Sequence, residues 1–296
     1  MGEGVPSALT LVKVGEEADY GDGTLTTIIP VNPPSATAPY EQILDQGLRG
    51  IAARDFAAYQ GAGRVEATLE GPCYPEAMNF WAKGILGAAG FVLGSTPPSF
   101  AVAINDGGTA YVYKGLMVSE LTIRYNAAEG LVTYSTNLIG QKMATTGAFA
   151  TSHDVSDPPR GWMAYATMGV SPACVIEGEW TLSREIALLY CASSNVAAEA
   201  QYPKNAYAGP LEVTARATLD FTAAALVTRY LNKTQEAFQV AFTYDAHGLT
   251  ITAPKMDFGE GPVEIDRSGT YVTLAYSMRA LYDLDTMTGP VTITVT

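Results

Sequence analysis

The sequence predicts a mainly β protein made of two tandem antiparallel β-sandwich or barrel units, each with one flanking α-helix. Three observations carry this prediction. Apolar and polar residues alternate strictly in many short runs, Gly- and Asn-containing turns join those runs, and only two segments show helical spacing. The length of 296 residues suits two domains, at about 100–200 residues each.

Taken in order, the runs begin at Leu9–Val14. Val65, Ala67 and Leu69 then alternate with Glu66, Thr68 and Glu70, so one face of that strand is apolar. Pro75 suits a first helical position, and Met78, Trp81, Ala82, Ile85 and Leu86 follow at helical spacing. Leu121, Ile123 and Tyr125 alternate with Thr122 and Arg124, and Leu131–Ile139 continues the pattern after the turn Asn126–Gly130. A further turn, Asn105–Gly108, precedes Tyr111.

The second half repeats this order. Cys174–Leu182 reads as a strand, followed by Leu211, Val213, Ala215, Ala217 and Leu219 against Glu212, Thr214, Arg216, Thr218 and Asp220. Thr222 fits an N-cap, with Ala223, Leu226, Val227, Tyr230 and Leu231 at helical spacing. Phe238–Tyr244, Val272–Met278 and Val291–Val295 complete the strands, and Asp245–Gly248 turns between two of them. The order strand, helix, hairpin strands thus occurs twice. Residues 1–150 are the first predicted domain, 151–172 a linker and 173–296 the second domain. The segment Gly140–Pro172 is polar and rich in Pro and Gly, as exposed boundaries are. The first domain carries a long irregular arm, 30–63, with one helical turn expected near Ile43–Leu48. Loops of that length are usually functional or disordered.

The bulk numbers bound function. The net charge is −13 and no Lys/Arg cluster is present. A nucleic-acid binder gains affinity from basic residues that neutralise phosphates, so specific DNA binding is not expected. A charged fraction of 16%, against about 25% in ordinary domains, suits a surface covered by neighbours. Cys73, Cys174 and Cys191 are odd in number and without metal-type spacing, so they are expected as free thiols. The opening Met-Gly-Glu-Gly-Val-Pro has no basic-then-apolar signal, and the most apolar run, Ile85–Gly94, is about half of the ~20 residues a membrane span needs. A cytoplasmic, non-membrane protein is expected.

No chemistry-bearing constellation emerges, so no catalytic residue, cofactor or metal is expected. His153 and His247 stand in different predicted domains and outside any motif. Asp283, Asp285 and Gly289 approach a calcium loop, but Met287 and Thr288 stand where it needs other residues. Gly84, Gly87 and Gly90 follow a helix rather than open one, so helix termination is expected of them instead of phosphate binding. Asn232-Lys233-Thr234 is a chance sequon. Glu177 and Glu179 share a strand face as a glycosidase pair would, but Glu66 with Glu70 and Glu212 with Asp220 do so as well. Solvated strand faces explain all three pairs. Trp81 belongs to the apolar helix stripe and Trp180 shares parity with Ile176 and Leu182, so both are expected in the core. Apolar residues on predicted loops, Tyr40, Ile43, Leu44, Trp162 and Tyr165, are candidate inter-subunit contacts.

Val14-Gly15-Glu16-Glu17-Ala18-Asp19-Tyr20-Gly21 and Tyr113-Lys114-Gly115-Leu116-Met117-Val118-Ser119-Glu120-Leu121 are the two segments with a distinctive spacing. Together with the strand Leu131–Gly140 that ends in Gly, the strand Gly209–Leu219 and the closing β segment, they resemble the tail tube proteins of long-tailed bacteriophages, in the roughly 300-residue two-domain class. The resemblance implies β-sandwich tube domains that pair sheet edges into a ring and stack as a virion tail tube, the conduit for DNA ejection. If each half is one tube domain, three chains make a pseudo-sixfold ring; if the domains are not duplicated, the ring is a hexamer. Other tail proteins are further expected partners, and DNA would pass without specific binding. The polar strand faces carrying Glu66, Glu70, Glu177, Glu179, Glu212 and Asp220 are then candidates for the lumen. A tail terminator or baseplate ring protein, and a carbohydrate-binding or adhesin β-module, are the alternatives.

Overall fold

A computed structural model describes residues 10–46, 55–87, 96–105, 110–128, 130–147, 149, 156–191, 201–221, 224–244, 247–259, 264–269, 272–286 and 288–296. Its first half contains β1 (Leu11–Glu16), β2 (Thr27–Ile29), β3 (Ser35–Thr37), β4 (Tyr40–Asp45), β5 (Ala57–Gly63), β6 (Val65–Pro72), α1 (Pro75–Leu86), β7 (Phe100–Asn105), β8 (Ala110–Asn126), β9 (Thr133–Gly140) and β10 (Lys142–Thr146). The second contains β11 (Ala164–Met168), β12 (Ser171–Ala173), β13 (Val175–Leu189), β14 (Asn205–Asp220), α2 (Ala224–Leu231), β15 (Gln235–Tyr244), β16 (His247–Asp257), β17 (Glu264–Asp266), β18 (Thr273–Ala280) and β19 (Thr292–Val295). Mainly β structure with large antiparallel sheets follows from the alternation. Val65, Ala67 and Leu69 are buried on β6, as are Val213, Ala215, Ala217 and Leu219 on β14.

The strand pairings of the first half recur in the second. β1–β2, β1–β7, β7–β8, β8–β10, β8–β9, β9–β6 and β6–β3 correspond to β11–β12, β11–β15, β15–β16, β16–β19, β16–β18, β18–β14 and β14–β13. Registers correspond as well. Phe100 faces Leu116 and, after a register shift, Val102 faces Tyr113; in the second half Glu236 faces Met256 and, after a shift, Phe238 faces Ala253. A one-residue slip turns every side chain to the other face, so a shared register reflects a shared pattern of burial. That similarity goes beyond the order of elements, which was all the sequence displayed.

The halves join through β8 and β13, paired from Asn126↔Glu177 to Glu120↔Ser183. One apolar core cluster holds residues of both, from Val12 to Ile293. Trp180 stacks on Phe238, and Tyr125 of β8 meets Phe242 of β15 edge-on. Trp81 of α1 lies between Phe100 and Tyr134. Both tryptophans are fully buried, as the helix stripe predicts for Trp81 and strand parity for Trp180.

Two predicted irregular stretches contain strands. The helical turn expected near Ile43–Leu48 is instead β4, which pairs with β5 as a separate hairpin inside the 30–63 arm. Its side chains are mostly exposed, so the apolar periodicity that normally reveals a strand is missing. Within Gly140–Pro172, β10 joins β8 and β11 joins both β12 and β15. These short strands carry no long alternating run.

The glycines around α1 also differ from expectation. Gly87 caps the helix with φ 94°, but Gly84 lies inside it and is buried against the sheet. A Cβ there would sit 2.5 Å from Val118 Cγ2 and 2.7 Å from the Phe100 ring. Gly90 and the expected N-cap Thr222 lie outside the described residues. Gly84→Ala gains about 1 kcal/mol of helix propensity, but overpacking costs about 1–3 kcal/mol. The expected net result is a lower melting temperature, measurable by circular dichroism; an unchanged or higher value would show that the helix can lift off the sheet freely.

Candidate functional site

Polar residues of six main strands share one face because register partners point to the same side of a sheet. The strand order β3-β6-β9-β8-β13-β14-β18-β17 makes a continuous run of eight. Thr68 faces Asn137 and Glu70 faces Ser135 between β6 and β9. Glu179 faces Arg124 on one side and Arg216 on the other, and Arg216 faces Ser277. All six predicted acids, Glu66, Glu70, Glu177, Glu179, Glu212 and Asp220, therefore lie on this single face. Sequence parity placed each acid on the polar side of its own strand, and the strand order brings them together.

Sequence reasoning missed part of the face. Glu120, Asp257, Glu264 and Asp266 belong to it by register. The alternation of Glu120 with Leu121 and Ile123 was the available signal. The three-residue β17 offered too short a pattern. Carboxylates outnumber the strand arginines of this face, Arg124, Arg216 and Arg279. Arg124 pairs with Glu179 at 2.6 Å and Arg279 with Glu212 at 3.0 Å, while Arg64 beside the sheet pairs with Glu66 at 2.7 Å. Such exposed pairs contribute about 0–1 kcal/mol each, so they shape the charge pattern more than they stabilise the fold. Ser135 donates to Glu70 at 3.1 Å and Thr218 to Glu177 at 3.0 Å, both across neighbouring strands. The Ser268 N–H donates to Asp266 at 2.8 Å and holds its carboxyl below the usual carboxylate range. A groove of about 700 Å3 lies over Arg124, Glu177, Glu179 and Arg216, so this part of the face is concave.

The five predicted apolar contacts are all exposed. Tyr40, Ile43 and Leu44 lie on β4, Trp162 on a 3-10 turn, Gly161–Met163, and Tyr165 on β11; Ile43 is 51% and Trp162 64% exposed. Tyr40 shares a hydrogen bond with Tyr202 at 2.8 Å.

Two glycine-bearing segments acquire physical roles. β8 passes from one sheet into the next at Gly115, which has φ 67°. A Cβ on Gly140 would lie 2.9 Å from the Gly115 carbonyl oxygen, so the end of β9 can approach this kink only as glycine. The Glu17 carboxylate accepts the Gly21, Gly23 and Gly115 N–H groups and the Ser99 hydroxyl, tying the loop after β1 to the same kink.

Among the described residues no group of three His, Cys, Asp or Glu side chains is placed to hold a metal ion. Asp283 turns its carboxylate to the Asp285 N–H and the Thr286 hydroxyl, closing a turn. The three cysteines are free. His247 opens β16 and is partly buried, whereas His153 lies outside the described residues. Among the described residues no helix is long and apolar enough to cross a membrane.

A mainly β chain with one long polar-faced sheet, exposed apolar side chains and exposed sheet ends has the build of a structural, assembling protein. Residues 7–280 match the family described as phage tail tube protein, and the chain belongs to that family. No curated protein matches it. The chain is therefore a structural component of the virion tail that assembles with itself and with other tail proteins.

Proposed function

We propose that three copies close into a ring of pseudo-sixfold symmetry, with 1–150 and 173–296 acting as two tube domains joined by 151–172. The carrying observation is the continuous polar face of eight strands, whose outer strands each have one neighbour among the described residues. An open edge presents unpaired N–H and C=O groups and invites another chain, whereas a closed barrel has no edge. Three such sheets give a wall of roughly 24 strands, more than the 16–18 that already enclose an aqueous channel. At usual strand spacing and tilt its backbones stand on the order of 45 Å apart across the bore.

The acidic face lines that bore. Non-specific protein–DNA contacts have dissociation constants of about 10⁻⁴–10⁻⁶ M, and stacked rings would multiply them on a basic wall. A carboxylate-rich wall avoids such contacts, and screening confines its repulsion to about 8 Å at physiological salt. DNA passes without specific binding, and the protein performs no catalysis. Tyr40, Ile43, Leu44, Trp162 and Tyr165 contact neighbouring subunits, within interfaces above about 2,000 Å2 in total. The chain is made in the host cytoplasm before assembly. Electron microscopy of the purified protein tests this reading. Stacked rings with three chains per ring are expected. Six chains per ring would reject the duplicated arrangement, and dispersed single particles would reject self-assembly into a tube.

A further inference from the structure

We infer that strand β3 of one chain pairs antiparallel with strand β17 of a second copy, with Ser35 opposite Asp266, Ala36 opposite Ile265 and Thr37 opposite Glu264. This deepens the ring reading and rests on it. The register comes from a junction already present inside the chain.

That internal junction is β8–β13, where Arg124, Ile123 and Thr122 face Glu179, Trp180 and Thr181. β3 occupies the place of β13 in the first half. Ser35, Ala36 and Thr37 face Thr68, Ala67 and Glu66 of β6, just as Glu179, Trp180 and Thr181 face Arg216, Ala215 and Thr214 of β14. β17 likewise occupies the place of the second part of β8. Glu264, Ile265 and Asp266 face Ala275, Leu274 and Thr273 of β18, where Thr122, Ile123 and Arg124 face Ser135, Tyr134 and Thr133 of β9. Among the described residues β3 pairs only with β6 and β17 only with β18. Repeating the internal junction once more joins these two edges, and a head-to-tail contact of this kind forms a ring when its rotation closes.

Side-chain chemistry fits the register. Each exposed hydroxyl of β3 meets a carboxylate of β17, the pairing made inside the sheet by Thr218 with Glu177 and by Ser135 with Glu70. On the other face, Ala36 and Ile265 are both partly buried against the core and would extend it. A second observation agrees. Within the chain, the second-half residues Gln201 and Tyr202 bind the base of the β4–β5 hairpin: the Gly63 N–H donates to the Gln201 carbonyl, and Tyr40 meets Tyr202. The register shift after Tyr40↔Gly63 recurs after Arg184↔Leu211, so Arg184 stands where Tyr40 does. Among the described residues, the Arg184 Nε is buried without a hydrogen-bond partner.

Cysteine pairs test the register in the full-length chain carrying Cys174→Ser and Cys191→Ser. Directly opposed strand residues have Cα atoms about 4.5–5.5 Å apart, within disulfide range, whereas diagonal neighbours lie about 7–8 Å apart. Oxidised tubes of Thr37→Cys/Glu264→Cys and of Ser35→Cys/Asp266→Cys should give covalent multimers on non-reducing gels. The displaced pair Thr37→Cys/Asp266→Cys should give at least about fivefold less. Tubes that assemble but cross-link only through the displaced pair, or through none, overturn this register and leave the ring reading standing. If the parent chain stays monomeric by light scattering and forms no rings, the ring reading fails as well.

Discussion

Virions carrying Glu70→Lys and Glu177→Lys should assemble tubes of normal appearance yet release DNA at least about tenfold more slowly at 50 mM salt, recovering towards the parent rate by 200 mM. Both acids are exposed on the shared sheet face, and neither forms one of the ion pairs with Arg64, Arg124 or Arg279. Among the described residues, each accepts one cross-strand hydroxyl hydrogen bond at the surface. Exposed substitutions of this kind usually change stability by less than about 0.5 kcal/mol, so assembly should survive. DNA transit is different, because each added lysine recurs in every ring and meets a moving polyanion. Counterion release makes the resulting adhesion fall steeply with salt, and recovery at higher salt separates adhesion from damage to the tube. Release followed by dye fluorescence after triggering measures both quantities. A parent-like rate at low salt would remove this face from the channel wall.

Glu17→Ala should lower the melting temperature by roughly 10 °C, the largest effect expected of any single substitution outside the apolar core. Glu17 is only 6% exposed. Its carboxylate receives hydrogen bonds from Gly21 N–H at 2.9 Å, Gly23 N–H at 3.1 Å, Gly115 N–H at 3.1 Å and the Ser99 hydroxyl at 2.7 Å. Removing the acceptor strands several donors, at about 1–3 kcal/mol for each that water cannot reach. A total of about 3–5 kcal/mol is a large share of the roughly 5–15 kcal/mol that keeps a domain folded. Glu17→Gln keeps one acceptor oxygen but turns an NH2 group towards the remaining donors, so it should fall between Ala and the parent. A Glu17→Ala melting point within about 2 °C of the parent would show that water replaces the carboxylate.

The Glu17 cage also explains a boundary of sequence reasoning. Gly-Glu-Glu-x-x-Tyr-Gly stood out as a motif, but its spacing does not show that the second glutamate reaches Gly115, nearly a hundred positions away. The contact depends on the kink in β8. Burial was easier to read. Trp81, Trp180 and the alternating residues of β6 and β14 lie in the core because removing apolar surface from water is a local preference of each side chain. Strands exposed on most of their length, such as β4 and β5, lack that preference, so the sequence near Ile43 carries no strand signal.

Composition and alternation established the β class, the two helices, the free cysteines and the acidic strand faces, since each follows from residues close together in the chain. Which strands lie side by side is another matter. It depends on backbone hydrogen bonds between distant segments, and these are chemically alike at every residue but proline. Only the folded chain joins β8 to β13, gathers six separate acids onto one face, and leaves β3 and β17, among the described residues, at the two ends of that run of strands.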